Sequence, residues 1–292
     1  MNDYPKISII TPNFNGIRHL ENTILSVLDQ NYPNLEYIII DGGSTDGSVE
    51  LIEKYSNSIA YWESKPDNGL YHAIQKGFRK STGEIMGWIN SDDRFLSGSL
   101  FTISELFTLN KDVHWIQGYP VVIDDENRIV FHRPAVGSKF FFYLKDFMNG
   151  SFIQQESTFW TRHLWEKAGG YISTEYKFAG DFELWIRFYH HETLYLTDAM
   201  LGAFRTRQDG QMSKINYNDY LKECNQIIDF NYTLLSENDR MFLNKVIRNR
   251  KFNAKLPRSC AFLRRENLEK KISYPLPVLK FDFEKYTFTL KP

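Results

Sequence analysis

The residues best placed to do chemistry are the adjacent carboxylates Asp92 and Asp93. They close an apolar run, Ile85 to Ile89, in the stretch Trp88-Ile89-Asn90-Ser91-Asp92-Asp93. A short apolar run of this length reads as a buried strand, and open α/β sheets bind ligands just beyond the carboxyl ends of their strands. Two acids there suit a hard divalent cation, which takes oxygen ligands and in turn grips phosphates. The same pair would also serve a plain solvated turn with an Asp capping the next helix. Other acids stand at comparable places. Asp41 follows the run Leu35 to Ile40, Asp67 lies in the turn Pro66-Asp67-Asn68-Gly69, and Asp181 opens a helical pattern with Phe182, Trp185 and Phe188 inward.

The elements that must position these acids follow from periodicity. Lys6 to Thr11 is a β-branched run closed by Pro12, hence a strand and a turn. Ile17, Leu20, Ile24, Val27 and Leu28 recur at helical spacing. Leu35 to Ile40 is a second strand, and Asp41-Gly42-Gly43-Ser44-Thr45-Asp46-Gly47-Ser48 turns sharply into a helix with Leu51, Ile52 and Tyr55 inward. Ile59 to Glu63 is a third strand. Leu70, Ala73, Ile74, Gly77 and Phe78 mark a helix stopped by Ser81-Thr82-Gly83, and the strand carrying Asp92 and Asp93 follows. Four strand–helix alternations in about a hundred residues call for a parallel sheet with helices on both faces. The loops 11–15, 41–48, 63–71 and 90–94 then collect on one rim.

The later part is mixed. Ser97 is expected to cap a helix to Asn110. Val113 to Val122 and Arg128 to Arg133 read as strands joined by a polar turn. Lys139 to Met148 reads as a helix, and Gln154 to Trp160 as an entry to a strand before a helix from Arg162 to Ala168. Leu194 to Phe204 reads as one strand. Tyr217, Tyr220, Leu221, Cys224, Ile227 and Ile228 form an amphipathic helix, with Cys224 a packed thiol. Residues 240–271 hold eleven Lys or Arg with interleaved Phe and Leu. That pattern suits either an anionic membrane surface or a solvated face. Tyr274 to Leu290 reads as edge strands.

Composition bounds the function. With 42% hydrophobic and 16% aromatic residues, the 292-residue chain can bury a large core, and a net charge of −1 gives no field for nucleic acid. Two cysteines, Cys224 and Cys260, have no metal-type spacing, which fits a reducing compartment. No signal peptide and no 18-residue apolar run is read, so a cytoplasmic protein is expected, with residues 240–271 as a peripheral contact for the inner membrane leaflet.

The four rim loops together resemble a known family. Ile9-Ile10-Thr11-Pro12-Asn13-Phe14-Asn15, Ile40-Asp41-Gly42-Gly43-Ser44-Thr45-Asp46-Gly47, Asp67-Asn68-Gly69-Leu70-Tyr71-His72-Ala73 with Lys76-Gly77, and Thr82-Gly83-Glu84 with Asn90-Ser91-Asp92-Asp93 are similar to family 2 glycosyltransferases of the GT-A fold. The likeness is strong over residues 5–96, weaker to Phe204, and lost after Gln211-Met212-Ser213. It implies an α/β fold with a Rossmann-like, mostly parallel central sheet. The catalytic domain would run over 1–212, with a nucleotide-binding half at about 1–96 and a mixed α/β acceptor half at 97–212. A helical extension with a strand-like tail would follow at 213–292. It further implies transfer of a sugar from a nucleotide diphosphate donor, UDP above guanine or thymine nucleotides, to a hydroxyl acceptor with inversion, in cell-surface polysaccharide or glycolipid synthesis.

By position, the resemblance assigns Thr11, Pro12, Phe14, Asn15, Asp41 and Asp67 to the nucleotide. Asp93 falls on the ligand for Mn2+ or Mg2+, Asp92 toward the ribose, and Asp181 on the general base. Gln155 and Glu156 fall on the acceptor side, with Glu183 beside the base. Arg205 and Arg207 are candidates to touch the pyrophosphate from a loop that continues through Asp209-Gly210-Gln211. His72 departs from the family's usual Asp at that position and is expected on a helix surface. The chemistry is consistent with these types: a cation neutralises a departing diphosphate, and a hydroxyl needs a base to accept its proton. Acids such as Asp41 and Asp67 would repel phosphate, and suit ribose hydroxyls or a base N–H. A nucleotidyltransferase would want a Gly-rich basic loop after the first strand, and Thr11 to Gly16 has no Lys or Arg. A non-catalytic sugar-nucleotide or glycan binding module would need neither Asp93 nor Asp181.

Overall fold

Strand β1 (Ile7–Asn13) is buried at every position, which is why its sequence runs apolar without alternation: helices cover both of its faces. The computed structural model describes residues 4–133, 138–145, 153–207, 215–257 and 276–291. After β1 come α1 (Ile17–Leu28), β2 (Leu35–Asp41), α2 (Ser48–Lys54), β3 (Tyr61–Ser64), α3 (Leu70–Lys80) and β4 (Ile85–Trp88). β2 and β4 flank β1 and β3 flanks β2, all parallel. In the register, Asn13 stands opposite Asp41 and Asp41 opposite Ser64. The ends of β1, β2 and β3 therefore form one row at the sheet's C-terminal edge.

The chain continues through β5 (Arg94–Phe95), α4 (Ser99–Leu109), β6 (Trp115–Gln117), β7 (Val121–Ile123), β8 (Ile129–His132), α5 (Lys139–Tyr143), β9 (Thr158–Thr161) and α6 (Arg162–Lys167). It then forms α7 (Gly180–Phe188), β10 (Tyr195–Thr197), β11 (Gly202–Arg205), α8 (Tyr217–Leu234), α9 (Glu237–Lys255), β12 (Val278–Asp282) and β13 (Thr287–Lys291). A nine-stranded sheet has the order β13-β12-β10-β6-β9-β4-β1-β2-β3, and a smaller one the order β5-β11-β7-β8. The large sheet is mostly parallel; β9 runs antiparallel to β4 and β6, and β13 to β12.

Three expectations need correction. Leu194 to Phe204 is two strands, β10 in the large sheet and β11 in the small one, because the chain changes sheets after Thr197. Val113 to Val122 likewise splits between β6 and β7. Gly98, at φ 79°, caps α4 in place of Ser97. Among the described residues after 213, β12 pairs with β10, Leu279 is buried in the core cluster on one face of the sheet, and Cys224, Ile227 and Ile228 of α8 are buried in the other. Cys224 is the packed thiol expected, and burial pushes its pKa up. Cys260 lies outside the described residues.

One contact matters most for the site. The rings of Trp88, at the end of β4, and Trp185, in α7, stack 5.7 Å apart at 6°, and Trp115 and Trp160 close around them. Aromatic pairs of this kind add about 0.5–1.5 kcal/mol beyond their burial. The strand that leads to Asp93 and the helix that carries Asp181 are thus clamped to each other through the core.

Candidate active site

Asp41 shows how the row of strand ends is tied. Its Oδ1 accepts from Asn13 Nδ2 (2.7 Å) and Ser44 Oγ (2.6 Å), and its Oδ2 from Ser64 Oγ (2.6 Å) and the amides of Gly43 (3.0 Å) and Ser44 (2.9 Å). Burial pushes the carboxyl up, but the bonds from Ser44, Ser64 and Asn13 outweigh it and hold the group below its ordinary value. A carboxylate offers about four lone-pair directions. Asp41, expected at the nucleotide, is buried at the end of β2 and ties the loops together through these bonds. The Thr11 hydroxyl is buried and lies 3.0 Å from Tyr37 Oη. Pro12 is buried beside it. Asn15 stitches two loops, taking Thr45 N–H on Oδ1 (3.0 Å) and giving its own N–H to Ser44 Oγ (2.7 Å).

Phe14 is different: 67% of it is exposed. A Cβ built on Gly42 would stand 3.3 Å from the Phe14 ring and 3.4 Å from both Asp67 oxygens. The ring, the Gly42 backbone and the Asp67 carboxylate therefore line one small recess that a side chain at position 42 would fill. Asp67 also accepts from Gly69 N (2.8 Å). His72, half-buried, faces the Asn68 amide across 3.4 Å and belongs to this loop's own fold.

Beyond β4, Asp93 is buried. Its Oδ1 accepts from the Arg205 amide (2.7 Å) and its Oδ2 from Asn90 Nδ2 (3.1 Å). Burial first, then the charges of Glu156 and Asp92, raise its pKa well above the ordinary range. Glu156, also buried, is pushed to about 7 by burial, with the charges of Asp92 and Asp181 adding to it. Gln155 donates to Trp88 O and accepts from Asn90 (3.3 Å). The 3-10 turn of residues 155–157, expected on the acceptor side, thus packs against the acid loop through Gln155. A hard divalent cation fits this donor set, which is all oxygen and carries more acid than the protein neutralises, with the buried Asn90 Oδ1 left without a hydrogen bond.

The arginines divide. Arg205 is buried: its Nε bonds Asp92 O, one Nη bonds Asp124 O and the other Asn127 Oδ1, each at 2.6 Å. Expected as a candidate at the pyrophosphate, it stands as a strut between the acid loop and the β7–β8 turn. Arg207, partly exposed, pairs with Asp92 Oδ2 at 2.9 Å and stays at the cleft. The loop expected to continue from it, at 208–211, lies outside the described residues.

Asp181 sits in the first turn of α7 and is half-buried. Its Oδ1 accepts from Tyr71 Oη (2.9 Å) and the Phe182 amide (2.8 Å). Burial raises its pKa to about 6 against the Tyr71 hydrogen bond, with the Glu223 charge adding to the rise. The loop that delivers α7 is held from outside: the Glu223 carboxylate of α8 accepts the amides of Lys177 (2.9 Å), Phe178 (2.8 Å) and Ala179 (2.8 Å). Glu183, expected among the groups at the acceptor or donor sugar, forms a bidentate pair with Arg187 (2.8 and 2.7 Å). Asn13, Tyr71 and Glu223 went unassigned in the sequence. The first two stand inside the quoted motifs, whereas nothing local marks Glu223.

The charges of Asp92 and Asp181 both add to the rise at Glu156, and those of Glu156 and Asp92 to the rise at Asp93, so these four carboxyls lie within electrostatic reach of one another. Among the described residues no group of three or more His, Cys, Asp or Glu is arranged to hold a metal ion. No helix among the described residues is long and apolar enough to cross a membrane.

Known proteins carry the same pattern. The chain is 26% identical over 206 residues to an uncharacterised glycosyltransferase of Rickettsia typhi, covering 68% of this chain and 63% of that protein. It is 29% identical over 126 residues to the Bacillus subtilis glycosyltransferase TuaG, named for teichuronic acid biosynthesis, covering 41% and 49%. It spans less than two-thirds of the length of either relative. Among solved structures, residues 1–349 of Staphylococcus aureus TarS in complex with UDP-GlcNAc superpose with a TM-score of 0.65 at 17% identity, over 91% of this chain and 77% of that one. The sequence model of glycosyl transferase family 2 matches residues 8–166, more than half of the chain, and the chain belongs to that family.

Proposed function

We propose that the cleft transfers a sugar from a nucleotide diphosphate donor, UDP-linked above others, to a hydroxyl acceptor with inversion at the anomeric carbon. The observation that carries this reading is Asp181, a half-buried carboxyl that accepts from Tyr71 Oη and is pushed up to about 6, on a helix that the Trp88–Trp185 stack clamps to the strand leading to Asp93. The nucleotide base would lie against Phe14 and Gly42, with Asp67 accepting from a base N–H. Arg207 would leave Asp92 for the diphosphate, freeing Asp92 for a ribose hydroxyl. Asp93 would hold Mn2+ or Mg2+, which when bound neutralises charge on the departing diphosphate.

The acceptor oxygen forms its bond to the anomeric carbon as that carbon's bond to the phosphate oxygen breaks. The electron pair leaves with the nucleoside diphosphate, and the acceptor proton passes to Asp181. A carboxylate of raised pKa is a competent base near neutrality, ionised yet basic enough to accept the proton. TarS, which shares the fold, was solved with UDP-GlcNAc and with UDP, which supports the choice of UDP. TuaG supports a place in surface-polysaccharide synthesis.

A lipid-linked acceptor on the cytoplasmic membrane face is the further part of this reading. The outer face of α9 exposes Arg240, Lys245, Arg248, Lys251 and Lys255 with Met241 and Phe252, and residues 258–271 extend that composition outside the described residues. Co-sedimentation with anionic but not neutral vesicles is the expected result. For the transfer itself, a thermal-shift panel of UDP-, GDP- and dTDP-sugars with and without Mn2+ is the test. Saturation a hundredfold above Kd adds about 2.7 kcal/mol, so one donor should stand out in the presence of the cation. No shift with any of them would overturn the reading.

A further inference from the structure

Tyr71 is the one phenol whose hydroxyl reaches Asp181 among the bonds described. Its ring is buried, and the hydroxyl lies 2.9 Å from Asp181 Oδ1 and 3.1 Å from Phe178 O. The fit is close: a Cβ on Gly180, the residue before Asp181, would stand 2.7–2.9 Å from the Tyr71 ring, so α7 meets α3 across a bare backbone. Tyr71 comes from the same loop–helix unit as Asp67, and so joins the nucleotide side of the cleft to the base. Both described bonds to Asp181, from Tyr71 Oη and the Phe182 amide, fall on Oδ1.

We propose that Tyr71 is a positioning residue for the general base: its hydroxyl orients the Asp181 carboxylate and stabilises its ionised form, and Gly180 exists to let the ring approach. The proposal rests on the reading of Asp181 as the base. The titratable groups around that carboxyl are Tyr71 from α3, Tyr220, Glu223 and Cys224 from α8, and Glu156 from the 3-10 turn. Among the described bonds Tyr71 is the one side chain that reaches the carboxyl, the other donor being the Phe182 amide, so a change confined to the phenol isolates its contribution.

Tyr71→Phe keeps the ring and removes the donor. A hydrogen bond to the ionised form favours that form, so its loss should move the acidic limb of the kcat/KM profile upward by about one pH unit. Below the limb the rate falls about tenfold, with donor affinity unchanged and partial recovery at high pH. Replacing Tyr71 by 3-fluorotyrosine is nearly isosteric and strengthens the donor, so the limb should move down. Gly180→Ala, which pushes the ring away, should reproduce the Tyr71→Phe profile. A limb in the same place for Tyr71→Phe and 3-fluorotyrosine would overturn the proposal, even with a uniformly lower rate. Asp181→Asn separates the two layers. If it stays active, the base reading fails; if it is inactive while the Tyr71 variants keep the native profile, only the role of Tyr71 fails.

Discussion

Replacing Glu223 by Ala should weaken the whole molecule and slow its chemistry, although Glu223 lies beyond the part matched by the family's sequence model. Its carboxylate accepts three consecutive amides, from Lys177, Phe178 and Ala179, in the loop that feeds Asp181. Hydrogen bonds to a charged group are worth about 1.5–3 kcal/mol each when fully buried. Glu223 is half-buried, so water replaces part of each bond, and a total of about 2–4 kcal/mol is expected. For a chain of this size that corresponds to a fall in Tm of roughly 5–10 °C. The loop loses its anchor, so kcat should fall about tenfold or more while donor affinity holds. Urea denaturation gives the stability and steady-state transfer gives the rates. A midpoint shift worth under about 0.5 kcal/mol, together with an unchanged kcat, would refute the reasoning, because surface substitutions ordinarily sit in that range. Glu223→Gln should fall between, since one amide group must face a donor.

Other outcomes follow from the same geometry. The rate should rise with pH through about 6, where Asp181 ionises. Stability should move oppositely: burial raises the folded-state value above the unfolded one, so the contribution of the protonated group is full below about 4 and lost as pH passes about 6. Unfolding free energy measured from pH 4 to 7 in Asp181→Asn should lack that component. Phe14→Ala should weaken donor binding about tenfold and leave kcat nearly unchanged, because the exposed ring offers area to the base and touches no reacting atom; calorimetric titration reads it. Arg205→Lys should cost about 2–4 kcal/mol in chemical denaturation and raise the Mn2+ concentration needed for activity. A lysine cannot span Asp92 O, Asp124 O and Asn127 Oδ1 at once.

Much of the site was legible where the signal is local. The strand ends and their polar loops follow from apolar runs broken by Gly, Asp and Asn, and the helix opened by Asp181 follows from the spacing of Phe182, Trp185 and Phe188. What escaped depends on partners distant in the chain. Asp41 and Asp67 look alike in sequence, yet Asn13 and Ser64 absorb the first and leave the second at the recess. Arg205 ends β11 and Arg207 lies two residues beyond it; on a continuing strand the two would share a face, so nothing local marks that one reaches the β7–β8 turn and the other the Asp92 carboxylate. The run Leu194 to Phe204 carries no mark of the place where it changes sheets. The tail at 278–291 was expected as an edge, and its hairpin does end the nine-stranded sheet, but its pairing with β10 is set by a surface that other strands build.

The most direct test of the central claim is transfer by Asp181→Asn at saturating donor and Mn2+, with donor affinity measured on the same protein. The account expects native affinity and a rate lowered by at least about a thousandfold, the loss of the base together with its orienting contacts. Transfer within tenfold of the native rate would contradict it.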